Sequence, residues 1–412
     1  MRADWIFKPL GEVCNVVGGG TPSKRNPAFY DGEIPWATVR DMRHEDLTGT
    51  EFKISPEAVK SSATNVIPSG NVVIATRVGL GKVCLLSQDT AINQDLRGII
   101  PKANNLDVRF LFRWLQSVSH IIEAEGTGAT VKGVKLPFVK SLKMPVPPLP
   151  EQKRIVAILD EAFAGIATAV AITEKNLANA RELFESYLNT VFSQRGDGWV
   201  DKKLSDICEG KITDGTHQTP KYHDDGFVFL SSRNVKSGTI DWQNVKYVDR
   251  SQHEVMQRRV SPRVGDILLA KNGTTGVAAI VDRDILFDIY VSLAFLRPSS
   301  EVTSRYLWHF INSPIAKMQF NTRLKGVGVP NLHLKEIREV EICFPTDKSE
   351  QARVVEKLDE VLESKHKLES SYQQKLTALS ELKQSLLQKA FSGELTAGKE
   401  ASDAMRQVEQ IA

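Results

Sequence analysis

The chain reads as an α+β protein. Two similar, mostly-β domains are joined by two long antiparallel helices that form a coiled coil, and the whole carries an internal pseudo-twofold repeat. Three observations predict this. The sequence repeats itself: Glu151-Gln152-Lys153-Arg154-Ile155-Val156 returns as Glu350-Gln351-Ala352-Arg353-Val354-Val355, and Leu159-Asp160-Glu161 as Leu358-Asp359-Glu360, both 199 residues on. Each copy carries an apolar seam at steps of three and four, strictly alternating in the first, the signature of a helix seeking a helical partner. Each follows about 150 residues in which short β-branched runs are bounded by Gly, Pro and Asn.

In order, residues 1–150 form the first domain. Val72-Val73-Ile74-Ala75 and Ile99-Ile100 are strand-like, and Phe110 to Leu115 reads as helix. Gly18-Gly19-Gly20, Gly79-Leu80-Gly81 and Gly126-Thr127-Gly128 mark loops. Met144-Pro145-Val146-Pro147-Pro148-Leu149-Pro150 is a stiff, extended lead-in that excludes helix. The first helical spacer is expected over 151–195, with Leu159, Phe163, Ile166, Val170 and Tyr187 among its seam residues and Thr173 as the interruption. Residues 196–349 repeat the first domain, with Ile267 to Ala270 matching Val72 to Ala75 and Tyr306 to Ile311 matching Phe110 to Leu115. There the offset drifts, so the loops differ in length while the framework is shared. The second spacer, 350–393, presents Leu358, Val361, Leu368, Tyr372, Leu379 and Leu386, with Lys365 interrupting. Each helix is roughly 60 Å long at ~1.5 Å per residue. Neither can bury its seam alone, so an antiparallel pair is expected; packing on the own domain or in a homodimer is the alternative. Residues 394–412 form a polar tail, a partial helix over 400–410 or disordered.

Composition excludes several classes. No uninterrupted apolar run reaches the ~18 residues of a membrane span, and the N-terminus lacks a signal-peptide core, so the expected compartment is the cytoplasm, with no membrane partner. Cys14, Cys84, Cys208 and Cys343 form no Cys-x-x-Cys pair and read as buried, reduced thiols; no metal site is expected. Gly79-Leu80-Gly81-Lys82 is followed by Val83, so it is no phosphate loop, and Pro147-Pro148 lacks the flanking residues of an adenine clamp. Asp224-Asp225, His217 and His223 sit in polar loops and read as solvated. No catalytic set emerges, and no cofactor is expected in this chain. An enzyme with an unrecognised site stays the least favoured reading.

A net charge of +3 is too small for a global field, so any polyanion surface must be local. Basic and hydroxyl-bearing loops recur at matched positions in both domains. In the first, Thr21, Ser23, Lys24, Arg25, Arg40, Arg77 and Lys132 are the candidates for touching DNA; in the second, Thr216, His217, Thr219, Lys221, Arg233, Lys271, Asn272, Thr274 and Lys325. Arg and Asn suit base edges, whereas Lys, Thr and Ser suit phosphates. Any one of them alone reads equally as a solvated surface residue.

Together these residues resemble the specificity subunit of type I restriction-modification systems. The resemblance is carried by Gly19-Gly20-Thr21-Pro22-Ser23-Lys24, Asn26-Pro27 and Ile34-Pro35-Trp36 in the first domain. Asp214-Gly215-Thr216-His217-Gln218-Thr219-Pro220 carries it in the second, and the Pro-rich lead-in to Glu151-Gln152 and the ending Ala390-Phe391-Ser392-Gly393-Glu394-Leu395 complete it. Cys343-Phe344-Pro345-Thr346-Asp347-Lys348 departs from the pattern, with one proline where the first lead-in has four. The resemblance implies two target recognition domains, each gripping one half of a bipartite site in double-stranded DNA. It implies helices that space the half-sites and dock two modification (methyltransferase) subunits, themselves joined by two restriction (translocase/nuclease) subunits. S-adenosylmethionine, ATP and Mg2+ would belong to those partners. The rival reading is a scaffold that binds two protein partners without DNA.

Overall fold

The computed structural model describes residues 5–128, 132–194, 196–236, 238–273, 275–324 and 331–397. It divides into two compact units, Met1–Glu174 with Gln373–Ala412, and Lys175–Tyr372.

In the first unit a five-stranded sheet runs in the order Cys14–Gly18, Leu96–Pro101, Val72–Ala75, Val83–Leu86, Asp46–Leu47. A four-stranded sheet orders Phe52–Ile54, Ile34–Ala37, Thr90–Ile92, Asn65–Ile67. Val72–Ala75 is buried on both faces, which is why it reads as a continuous apolar run rather than an alternation. The lead-in Lys143–Val146 is itself a strand, antiparallel to Ile6–Pro9.

The second unit repeats the plan with shorter strands. Thr213–Asp214, Leu293–Leu296, Ile267–Ala270 and Ala278–Ile280 make one sheet; Lys246–Val248, Phe227–Leu230 and Phe287–Ile289 make the other. Both domains share a parallel pairing at the same step, Ile34–Ala37 with Thr90–Ile92 and Phe227–Leu230 with Phe287–Ile289. Despite its single proline, the second lead-in Glu341–Pro345 is also a strand, paired with Trp199–Lys203. Strand pairing supplies the stiffness that three missing prolines do not.

The long helices are Leu149–Ser193 and Lys348–Ser392, each of 45 residues. Both begin two residues earlier than expected. Pro150 sits inside the first turn, where its missing N–H has no intrahelical partner to lose. In the first unit Leu159, Phe163 and Ile166 share one core with Leu379 and Leu386, and Val170 packs against it. In the second unit Leu358 shares a core with Leu188, Val191 and Phe192, and Tyr187 packs on it. Early residues of one helix thus meet late residues of the other within each unit, so the pairing is antiparallel. Thr173 is buried, its hydroxyl donating to the Ala169 carbonyl at 2.7 Å.

Two seam assignments need correction. Leu368 is 44% exposed, because at that level the inward position belongs to Glu369, which accepts from Arg181 at 2.7 Å and pairs with Lys365 at 3.3 Å. The ion pairs make a polar layer and rotate Leu368 outward. Val361 is half-buried, and its neighbour Leu362 packs on the core instead; Tyr372 is also half-buried.

The repeated motif residues are joints. Gln152 is fully buried, accepts from Asp107 N at 2.8 Å, and donates to the carbonyls of Asn105 (2.9 Å) and Pro147 (2.8 Å). Gln351 does the same with Thr303 N (3.0 Å), Glu301 (2.7 Å) and Pro345 (2.9 Å). Asp107 and Thr303 also cap the domain helices Val108–Ser117 and Ser304–Ile311, so one amide side chain ties the start of a spacer to a capped helix. About two turns further, Asp160 accepts from Arg113 at 2.7 Å, and Asp359 from Arg305 at 2.6 Å and His309 at 2.7 Å. The opposite helix ends also match: Phe391 packs edge-on to Phe110, and Phe192 to Tyr306 and Phe310.

The tail is not polar throughout. Gly393 has φ +85° and ends the helix; Glu394 and Leu395 both donate backbone N–H to the Lys389 carbonyl at 3.0 Å, and Leu395 is buried. Thr396 hydrogen-bonds Glu151. The expected tail beyond residue 397 lies outside the described residues.

The first spacer contains an 18-residue window of mean hydropathy 2.0, long and apolar enough to cross a bilayer by length and composition only, although Asp160 and Glu161 break the continuous apolar run. Here its Ile155, Leu159, Phe163 and Ile166 face the core, and Asp160 is ion-paired. Cys14, Cys84 and Cys343 are buried and Cys208 half-buried, all as free thiols. Burial pushes Cys14 and Cys208 up to about 12 and Cys84 to about 11, so these three stay protonated and unreactive near neutrality.

Candidate nucleic-acid interface

Each domain hangs three loops on one short segment. In the first unit the segment is residues 92–95. Gly20 N donates to the Ile92 carbonyl at 3.0 Å, Asn93 N to Ala37 O at 3.0 Å, and Thr76 N to Asp95 O at 2.8 Å. In the second unit it is residues 289–292: Thr216 N donates to Ile289 O at 3.0 Å, Tyr290 N to Leu230 O at 2.8 Å, and Lys271 N to Ser292 O at 3.0 Å. A glycine is required where the first loop crosses the segment. A Cβ on Gly19 would lie 2.2 Å from the Ile92 carbonyl oxygen, and one on Gly215 1.8 Å from that of Ile289.

The second loop is a capped 3-10 turn in both domains. Asp41 accepts from Thr38 N at 2.7 Å and from its hydroxyl at 3.0 Å; Asn234 accepts from Ser231 N at 3.0 Å and its hydroxyl at 3.3 Å. Each turn presents an exposed arginine, Arg40 and Arg233.

In the first unit the loops enclose a cleft of about 650 Å³, lined by Thr21, Lys24, Arg40, Trp36, Asn93 and Gln94 among others. The Thr21 hydroxyl donates to Gln94 Oε1, Trp36 Nε1 to the Gly20 carbonyl at 3.1 Å, and the Tyr30 hydroxyl to Pro22 O at 2.8 Å. Aromatic donors thereby fix the turn that carries the exposed Ser23, Lys24 and Arg25. Arg77 is half-exposed, 3.6 Å from Asp95, and bridges through its backbone to Gly133, next to the exposed Lys132. All seven candidates of this domain therefore belong to the cleft or to the segments joined to it.

The second unit is different. Lys271 is buried and its ammonium lies 2.7 Å from the buried Asp214, so it is a structural ion pair and not a free phosphate contact. The reason is Asp214, which cannot be buried unpaired. Burial alone would raise its carboxyl pKa; bonds from Lys271, Arg259 and His217 outweigh burial and hold it below its ordinary value. His217 is exposed at 3.1 Å from Asp214, and Arg259, which the sequence did not single out, lies at 2.7 Å with about half its side chain in solvent. Thr216 is half-buried, Thr219 and Lys221 are exposed, and Gln252 fixes the Lys221 backbone through bonds of 2.8 and 3.0 Å. Asn272 is half-buried and bridges through its backbone to Asn331. Thr274 and Lys325 lie outside the described residues.

Residues 92–95 and 289–292 escaped the sequence reading, as did Arg259. Nothing in their local pattern signals that three distant loops converge on them. The one available sign was Asn93-Gln94-Asp95, a polar run directly after an apolar strand.

Comparison with known proteins gives the arrangement its context. The family model described as "Type I restriction modification DNA specificity domain" matches twice, over residues 2–175 and 196–378. The Type I restriction enzyme EcoR124I/EcoR124II specificity subunit of Escherichia coli is 33% identical over 194 residues, 45% of this chain and 48% of that one. The chain thus spans about half the length of that relative in the match. The MjaIX specificity subunit of Methanocaldococcus jannaschii is 21% identical over 415 residues, 95% of this chain and 94% of that one. A chain from a solved structure on complex assembly and conformational transition of the type I R-M system has the same fold. Its TM-score is 0.75 at 20% identity, over 96% of this chain and 99% of that chain.

Proposed function

From the premise that this chain belongs to the type I restriction-modification DNA specificity family, as its recognition component and not its catalyst, we propose that each unit reads one half of a bipartite site in double-stranded DNA. The scaffold reading without DNA has no support in these relatives. The observation that carries the proposal is the matched loop set: three loops on one segment in each domain, with Arg40 and Arg233 presented from equivalent capped turns. Phosphate contacts from the lysines and hydroxyls position the duplex, and arginine and amide side chains read base edges.

In this reading the two helices set the gap between half-sites. They also dock two modification subunits, with two restriction subunits completing the assembly in the cytoplasm. S-adenosylmethionine, ATP and Mg2+ belong to those partners.

The test is motif discovery from methylated adenines in cells expressing the chain with its partner subunits. Arg40→Ala should relax one half of the motif, and Arg233→Ala the other, each by about 1–3 kcal/mol of discrimination. A heptad inserted near Thr173 keeps the seam in phase. It should widen the gap by about one to three base pairs, from ~1.5 Å per residue and ~3.4 Å per base pair. One substitution altering both halves, or an active insertion variant with an unchanged gap, would contradict the reading.

A further inference from the structure

Among the described residues Val78 is the one non-glycine residue with positive φ, at +38°. A β-branched side chain resists that conformation, because its Cβ substituents crowd the following carbonyl. The loop has a twin of equal length in the second unit. Ala75 N donates to Lys82 O and Gly81 N to Ala75 O; Ala270 N donates to Val277 O and Gly276 N to Ala270 O. Counting between those bonds places Val78 opposite Gly273, whose φ is +78°. The scaffold therefore asks for glycine here, and the first domain carries valine instead.

That valine gains nothing from burial. It is 51% exposed and lies on the rim of the cleft that Lys24, Arg40 and Gln94 also line, next to Arg77. A strained, exposed apolar side chain on the rim of this polar cleft points to a role outside the free protein. We propose that Val78 is a specificity-determining residue that packs against the 5-methyl group of a thymine in the half-site read by the first unit. The thymine methyl is the apolar feature of the major groove, and a small branched side chain matches it. Apolar wedges that pry base steps apart act from the minor groove, whereas the thymine methyl is reached from the major groove. The inference rests on the reading that this unit contacts DNA, and it assigns one contact within that reading.

The experiment uses the chain assembled with its modification subunit and duplexes bearing the methylated motif. Within the half that Arg40→Ala relaxes, each thymine is replaced in turn by deoxyuridine, which lacks only the methyl. At one position the wild-type complex should bind uracil roughly three- to five-fold more weakly, the worth of one buried methyl. Val78→Gly should abolish that ratio and leave every ratio in the other half unchanged. Because glycine relieves the backbone, the variant should melt no lower than wild type, so a folding defect does not obscure the outcome. A half-site without an A·T pair, an absence of any uracil-sensitive position, or a ratio that survives in Val78→Gly each overturns the assignment. If sequence discrimination persists in those cases, the reading of the unit as a DNA-binding domain still stands; if the complex shows no discrimination, that reading fails as well.

Discussion

The two domains share a skeleton and differ in what fills it. In both, backbone hydrogen bonds fasten three loops to one segment, and a glycine admits the crossing. Beneath the loops the first domain has Gly18 and Thr76 with the aromatic floor of Trp36 and Tyr30, whereas the second has the buried Asp214–Lys271 pair with Arg259 and His217 around it. The joints differ in the same way. In the first unit Arg113, 6% exposed at its side chain, bridges Glu45 and Asp160. In the second unit the half-exposed Arg305 and the buried His309 share Asp359. What is held constant is backbone geometry, and what varies is side-chain chemistry. That division lets one scaffold serve two different half-sites, since loops can change while the framework stays.

The comparison can be broken most directly at the shared glycines. Gly19→Ala and Gly215→Ala should each cost about 3 kcal/mol or more, because the added Cβ meets backbone carbonyl that cannot move aside. Thermal unfolding of each variant reads this out; an unshifted midpoint for either one means the two loop sets are not held alike.

Acidification should separate the joints. Burial pushes His309 down to about 4, outweighing its pairing with Asp359. Its ordinary value is about 6.5, so between pH 6.5 and 4 the unfolded chain takes up a proton that the folded chain refuses. This contribution to stability is complete above pH 6.5 and is lost as pH falls toward 4, by up to about 3 kcal/mol. Hydrogen-exchange protection of Ser304–Ile311 should fall across that window, and a His309→Gln variant should fall less. Equal pH profiles for the wild type and His309→Gln would remove His309 as the cause.

A smaller contrast is expected from the arginines. Arg113→Ala leaves two carboxylates without their buried partner and should cost about 2 kcal/mol; Arg305→Ala, in a more solvated pair, about 1 kcal/mol or less. Chemical denaturation of both variants decides it, and equal losses would mean that burial does not distinguish the joints.

Much of this arrangement is legible in the sequence. The constant offset implied elements of fixed length, and the helices start and end 199 residues apart, at Leu149 and Lys348, Ser193 and Ser392. Local signals sufficed because helix periodicity and strand alternation are written in neighbouring residues. The repeat also marked Gln152, Gln351, Asp160 and Asp359, without showing that they join spacer to domain.

The two-module α+β plan, the two spacers and the loops that carry cations and hydroxyls follow from the order of the residues alone. Which of those groups face solvent follows from contacts made in the folded chain. Lys271 and Arg77 lie one position apart on equivalent hairpins, yet the lysine is buried against Asp214, 57 residues away in the chain, and the arginine is half-exposed. Leu368 turns outward because Arg181 draws Glu369 inward. Val78 is strained because a hairpin shape shared with Gly273 is imposed by strands on either side. In each case the deciding partner or constraint lies outside the local sequence. Periodicity reports a residue's own preference, whereas burial and charge pairing are settled by groups that meet only once the chain has folded.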